Sequence, residues 1–345
     1  MSSNYRIINP LEDSSWDPWI SSRDGCSIFH SSSWARVLCD SYGYVPRYLF
    51  SETDKGSVAV PLMELNNPFS RKRGVSLPFS DYCDPVGDSG VPVPSLMESI
   101  SEYGEKVGWK TVELRCRDIV LENAIPSQEF LNHVLELRGS ESDLISRFRD
   151  STRRNIRKAK KEGVEVRIED SPESVRQFYR LNCMTRKEHG LPPQPFRFFE
   201  NLHRHLISKG AGFVAVAYHE GLQVSASVYL HTGHNAYYKY GASDKNHFHL
   251  RANNLVMWEA IRWYLKNGYA SLCFGRTEVD NEGLNQFKTG WATDAGAIRY
   301  YMLDIDTKTF LKRKSNVSGV HNKIFRHMPV PLLRYTGELL YRYFG

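Results

Sequence analysis

The sequence predicts an α+β fold with a central, mainly antiparallel sheet flanked by helices, built twice along the chain. Three observations carry this. Strand-like runs alternate with amphipathic helices in both halves; three strand-like runs stand in close succession in the second half; and 345 residues with 41% hydrophobic composition suffice for two cores.

In the first half, "PRYLFSE" and "GSVAVPLMEL" alternate as paired strands do, and "VPSLMESISEYGEKVG" has helical spacing. "TVELRCR" and "FLNHVLELR" return to strand character. The second half opens on "STRRNIRKAKKEGVEV", where Asp150 or Ser151 is expected to cap a helix over about 152–162 that Gly163 stops. "SPESVRQFYRLNCMTRKEHG" and "PFRFFENLHRHLISKG" are two further amphipathic helices, each ended by glycine. "GFVAVAYHE", "QVSASVYLHT" and "NAYYKYGAS" then read as an antiparallel meander turning at "EGLQ" and "GHN". A long helix, "NNLVMWEAIRWYLKNG", leads to the strand "YASLCFG", the segment "NEGLNQFKTGW" and the strand "GAIRYYMLDI". A linear division follows, with domains over 1–139 and 140–306 and a basic tail over 307–345.

Composition narrows the function classes. The first 25 residues carry acids and a proline and no continuous apolar core, and runs such as "GFVAVAY" fall far short of a membrane span, so a cytoplasmic protein is expected. Six cysteines without a CxxC pair predict reduced thiols, and paired histidines without HExxH predict no metal. The net charge of +6 is concentrated: from Lys312 onward seven cations face Glu338, and the remainder balances. Bulk charge therefore gives no support to a generic grip on nucleic acid.

Seven motifs carry a closer identification: "FHSSSWARVLCDSYGY", "SLPFSDY", "RRNIRKAKKEGV", "TRKEHGLPPQPFRFF", "YYKYGASD", "NNLVMWEAIRW" and "GLNQFKTGW". In order and spacing, over about residues 28–303, they resemble the FemAB-type acyltransferases, in the branch with a BioF2-like acetyltransferase domain. The resemblance implies two tandem domains with the N-acetyltransferase (GNAT-like) fold and an acceptor groove between them. It implies amide formation on an amine of a cell-envelope precursor, in peptidoglycan or polysaccharide, with no tightly bound cofactor. The donor it implies is aminoacyl-tRNA or an acyl thioester such as acyl-CoA. Where relatives often have an acid before the Phe-Gly of "CFGR", Cys273 stands here, and Ala252 stands where relatives often have proline. No charged heptad insertion provides a coiled-coil arm.

Against that resemblance, Lys288 is the foremost candidate. Asn281 is expected to cap a short helix from Glu282, with Lys288 near its end between Phe287 and the Gly290-Trp291 turn. A cation there suits the oxyanion formed when an amine attacks an ester or thioester; the alternative is an exposed helical lysine. Tyr238 and Tyr240 are expected to share one sheet face, with Ser243 and Asp244 at the strand's end, either binding substrate or packing. Asp81 and Tyr82 match the acceptor-side motif, where Asp81 would hold the ammonium or take its proton, or else serve a turn. Arg276 is a fork for carboxylate or phosphate, or a structural ion-pair partner. Arg153, Arg157, Lys160 and Lys161 share one helix face, which suits a phosphate-bearing ligand or plain solvation.

Three function classes remain open: the amide-forming transferase, a coenzyme-A-dependent N-acetyltransferase, and a binding module for RNA or an anionic surface. "DKNHFHLRANN" lacks the glycines that usually cradle the coenzyme pyrophosphate. In the tail, Leu332, Leu333, Leu339, Leu340 and Tyr343 gather on part of a helix flanked by Arg334 and Arg342, made to lie on the protein's own body or on an anionic inner membrane face.

Overall fold

A computed structural model describes residues 5–54, 56–67, 70–88, 93–121, 124–312, 320–343 and 345. The first elements are β1 (Tyr5–Ile8), α1 (Trp16–Ser21), α2 (Ser32–Tyr42), β2 (Val45–Pro46), β3 (Tyr48–Thr53), β4 (Gly56–Val60), β5 (Met63–Asn67) and β6 (Ser70–Val75). Next come β7 (Val86–Gly87), α3 (Val93–Val107), β8 (Thr111–Cys116), β9 (Gln128–Glu136), α4 (Glu141–Arg147), α5 (Asp150–Lys161), β10 (Glu165–Glu169), α6 (Pro172–Glu188) and α7 (Phe196–His205). The chain continues through β11 (Gly212–His219), β12 (Leu222–Thr232), β13 (Asn235–Ser243), α8 (Ala252–Lys266), β14 (Ser271–Glu278), α9 (Glu282–Thr289), β15 (Asp294–Asp304), β16 (Thr309–Phe310), α10 (Val320–His327) and α11 (Val330–Leu340).

Two compact units result: Met1–Phe130 with Ala297–Ser315 and Tyr341–Gly345, and Leu131–Gly296 with Asn316–Leu340. This corrects the linear division. Residues 297–306 leave the second domain because β15 pairs antiparallel with β8, Val112 opposite Leu303, and so completes the first unit's sheet. The tail divides as well, its helices going with the second unit and its last residues with the first.

In the first unit, β1, β3, β4 and β7 form an antiparallel sheet, and β2, β5, β6, β8 and β15 lie side by side in that order, with β6 and β8 parallel. Pro61 separates β4 from β5, so the single run "GSVAVPLMEL" becomes two strands in different sheets. The core under α3 joins Ile100, Trp109, Val112, Leu114, Tyr301, Leu303 and Ile305. Gly74 admits the Trp109 indole where a Cβ would stand 2.5 Å from the ring.

The second unit keeps the meander: β10, β11, β12 and β13 are antiparallel neighbours, and β14 follows in parallel with β13. α5 and α8 cover one face around Phe148, Ile156, Trp258, Ile261 and Trp291. The N-cap of α5 is Arg149, with no side-chain cap, so neither Asp150 nor Ser151 plays the expected part; Gly163 does take a left-handed φ of 77° beyond the helix. α6 and α7 cover the other face, and α10 and α11 rest against α6. Arg313 and Lys314 of the basic tail lie outside the described residues. No helix among the described residues is long and apolar enough to cross a membrane.

Candidate active site

Within the second unit the sheet opens where β13 and β14 part. They pair at Asn235 with Ser271, Ala236 with Leu272 and Tyr237 with Cys273, yet β13 runs on to Ser243 and β14 to Glu278. Each strand has a local cause for bending away. The register of β12 against β13 slips so that Val228 faces Tyr240 while Tyr229 faces Tyr238, which leaves Lys239 as the extra residue of a bulge. On β14, Gly275 takes a φ of 69°, open to glycine at little cost.

Lys288 sits at this divergence. Its Nζ donates to the Gly275 carbonyl at 2.8 Å and the Arg276 carbonyl at 2.9 Å, and the residue is only 2% exposed. It is therefore not an exposed helical lysine. The side chain of Asn281 accepts from the Leu284 N–H, which starts α9 where the sequence places it. The other end of α9 is fixed by residues that the sequence alone does not single out. Arg149 donates to the Gln286 carbonyl and the Thr289 hydroxyl, both at 3.3 Å. Thr152 brings its Oγ1 to 2.7 Å from where a Cβ on Gly290 would lie, so the glycine of "KTGW" lets α5 close against the helix end.

Polar side chains surround the lysine. His133, on β9, is buried; its Nδ1 lies 3.3 Å from the Thr293 hydroxyl, which in turn donates to the Lys288 carbonyl at 3.2 Å. Burial first, and the Lys288 charge second, push the imidazole down to about 4, so it is neutral at pH 7. His133 Nε2 and Thr277 Oγ1 are buried without a hydrogen-bond partner among the described residues. Such atoms are costly when enclosed and suit a polar ligand.

The bulge corrects the tyrosine reading: Tyr238 and Tyr240 face opposite sides. Tyr238 packs toward α8, 5.6 Å from Tyr229 and 6.3 Å from Phe274, and its hydroxyl lies 1.9 Å from where a Cβ on Gly241 would stand. Burial raises its pKa to about 12. Tyr240 joins Phe178, Phe198 and Phe199 on the α6 and α7 side. Ser243 exchanges hydrogen bonds with Thr185, and Asp244 accepts from Asn246 N–H and pairs with His247 at 2.9 Å, so both shape the strand end. Trp291 is buried between Phe148, Phe274 and Phe287, which makes it a packing residue. On α5, Arg153 pairs with Asp150 and donates to the Ser146 carbonyl, while Arg157 and Lys161 are exposed. Lys160 pairs with Glu259 of α8 at 3.4 Å.

Asp81 and Tyr82 belong to the first unit. The Asp81 carbonyl accepts from the Tyr300 hydroxyl at 2.8 Å. Tyr82 is buried under the Arg117 guanidinium, 4.4 Å from the ring centre, and its hydroxyl accepts from Nη1 at 2.8 Å. Beside them is Asp84, which the sequence reading overlooks: its buried carboxylate accepts the N–H groups of Arg117 and Asp118, and burial raises its pKa.

The model of the family described as acetyltransferase (GNAT) domain matches residues 146–289, from α4 through Lys288. A UDP-N-acetylmuramoylpentapeptide-lysine N(6)-alanyltransferase of Weissella viridescens is 26% identical over 184 residues, covering 52% of this chain; the match spans about half of that relative, 53%. The crystal structure of FemX superposes with a TM-score of 0.64 at 14% identity, over 86% of this chain and 96% of that one. A tandem GNAT protein from the clavulanic acid biosynthesis pathway gives a TM-score of 0.57 at 9% identity, over 88% and 98%. Both share the tandem GNAT-like fold described above.

Proposed function

We propose that the chain is a FemAB-type acyltransferase that transfers an acyl or aminoacyl group to an amine of a cell-envelope precursor, forming an amide. The observation that carries this reading is the buried ammonium of Lys288 at the divergence of β13 and β14. The acceptor amine attacks the donor carbonyl, a C–N bond forms, the ester C–O or thioester C–S bond breaks, and the amine's proton ends on the leaving oxygen or sulfur. Such a reaction needs no covalent nucleophile, only alignment and a cation near the developing oxyanion. Two carbonyls hold the Lys288 Nζ in place before substrate arrives. The alanyltransferase relative supports an amine on a peptidoglycan precursor as acceptor.

Aminoacyl-tRNA is the donor we favour. The segment before α8, where a coenzyme A cradle would lie, is a 3-10 turn over Lys245–Leu250 capped by Asp244, and Arg251, not glycine, takes the left-handed φ of 60°. The acetyltransferase description of the matching family supports acyl-CoA as the second reading. We place the enzyme at the inner membrane face through its tail, because Leu332, Tyr335 and Leu339 turn outward, 51%, 58% and 51% exposed.

Lys288→Met keeps the stem's volume and removes the charge. It is expected to lower kcat at least tenfold with the fold intact by circular dichroism. Assays with aminoacyl-tRNA and with acetyl-CoA separate the two donors. Full turnover by Lys288→Met with either donor overturns the assignment.

A further inference from the structure

We propose that the groove between α6, α7 and α11 binds an alkyl phosphate, the phosphate on its arginines and the chain on its apolar floor. The groove has a volume of about 520 Å³, and Tyr179, Met184, Phe196 and Val330 give it an apolar lining. Arg176, Arg180 and Arg334 line it too, and among the described residues no acidic side chain does. A separate, smaller groove of about 280 Å³ shares Arg176 and Phe196 with it and is lined further by Glu200, His203 and Arg204.

The arginines differ in what already holds them. Arg176 pairs with Glu173 at 3.0 Å. Arg334 lies over the Tyr179 ring, 5.2 Å from its centre, and Arg180 is exposed with no ion pair among the described residues. A guanidinium is a planar fork that matches phosphate oxygens, and one stacked on an aromatic ring is held ready for an anion. An apolar floor beneath such a rim selects against inorganic phosphate, which leaves the floor wet, and against a neutral hydrocarbon, which leaves the charges unmatched.

The wall formed by α11 is seated on the unit rather than hanging from it. Leu333 is fully buried, and Gly337 approaches so closely that a Cβ there would lie 2.0 Å from the Pro193 carbonyl oxygen. Val330 and Arg334, one turn apart, face the groove. Leu332, Tyr335 and Leu339 project from the opposite side, so one helix offers a bilayer an apolar row while guarding a pocket for a lipid phosphate. The inference goes beyond the transferase reading and does not depend on its chemistry.

Titration calorimetry on the intact chain tests it with dodecyl phosphate below its micellar concentration, inorganic phosphate and dodecyl maltoside. Dodecyl phosphate should bind one to one, and at least a hundredfold more tightly than either other probe. Arg180→Glu with Arg334→Glu should weaken it at least tenfold, and Met184→Asp severalfold. The double Arg→Gln variant serves if charge reversal disturbs the fold. Undiminished binding by the double variant, equal affinity for the maltoside, or equal affinity for inorganic phosphate each overturns the proposal. Sedimentation with phosphatidic acid vesicles, set against phosphatidylcholine vesicles, shows whether the same arginines take the phosphate from a bilayer; capture of both alike sinks that source. Because every readout is binding, loss of the transferase reading leaves this outcome unaffected.

Discussion

The two units each bury a cation, and they hold it differently. In the first, Arg115 donates through Nε to the Glu113 carboxylate at 2.8 Å, with the Ser80 carbonyl as a further acceptor and the Tyr300 ring 5.0 Å away. In the second, the Lys288 ammonium is held by two main-chain carbonyls. A carboxylate cancels a full charge, whereas carbonyl dipoles orient a cation and offset only part of its desolvation. The first arrangement fixes a fold; the second suits a cation that must act on a ligand's charge. The same contrast appears in the histidines: His30 has partners on both ring nitrogens, Ser27 and the Asp84 carbonyl, while His133 Nε2 has none among the described residues.

The largest effect should come from breaking the closed pair. Glu113→Ala leaves Arg115 buried without its carboxylate, and the cost is expected to be about 3–5 kcal/mol. Hydrogen exchange of the β8 amides reports it within the first unit. A loss below about 1 kcal/mol would show that this pair, too, is only loosely matched, and the contrast with Lys288 would fail.

Next is the response to acid. Burial pulls both His30 and His133 from 6.5 down to about 4. A histidine whose folded pKa is depressed takes up its proton first in the unfolded chain. Its stabilising contribution is whole above pH 6.5 and is lost as pH falls from there through 4. For His30 the shift corresponds to about 3 kcal/mol. Unfolding of each unit followed from pH 7 to pH 4 should show this slope. His30→Asn should flatten it in the first unit and His133→Asn in the second; a slope unchanged by both substitutions rules the histidines out as its source.

Much of this was legible in the sequence because it is local. The meander follows from period-two alternation and the turns at "EGLQ" and "GHN", and the α9 cap from Asn281. What escaped depends on partners distant along the chain. The bulge at Lys239 exists only in the register of β13 against β12, so no pattern within "YYKYGASD" could have separated Tyr238 from Tyr240. That β15 belongs to the first unit follows from its pairing with β8, nearly 190 residues earlier. The support that Arg149 and Thr152 give to the end of α9 likewise depends on partners far along the chain, 137 residues on for Arg149 and Gln286.

The smallest expected effect concerns that stretch, and it sharpens the comparison by asking whether exposed cations join the buried one in binding substrate. Ile156 and Ala159 seat α5 on the core, and sealing in one isoleucine stabilises by roughly 1.5–3 kcal/mol, so the helix holds its place whatever its outer face carries. Arg153 is occupied by Asp150 and Lys160 by Glu259, which leaves Arg157 and Lys161 as the exposed members of the face with no ion pair among the described residues. Arg157→Glu with Lys161→Glu should therefore leave stability and kcat nearly unchanged and raise KM for a phosphate-bearing substrate two- to fivefold. Added salt should reproduce part of that rise in the unmodified enzyme, since exposed charges are screened within about 10 Å at 0.1 M. A KM that answers neither to reversal nor to salt assigns this face to solvation alone and leaves Lys288 as the cation that matters to the reaction.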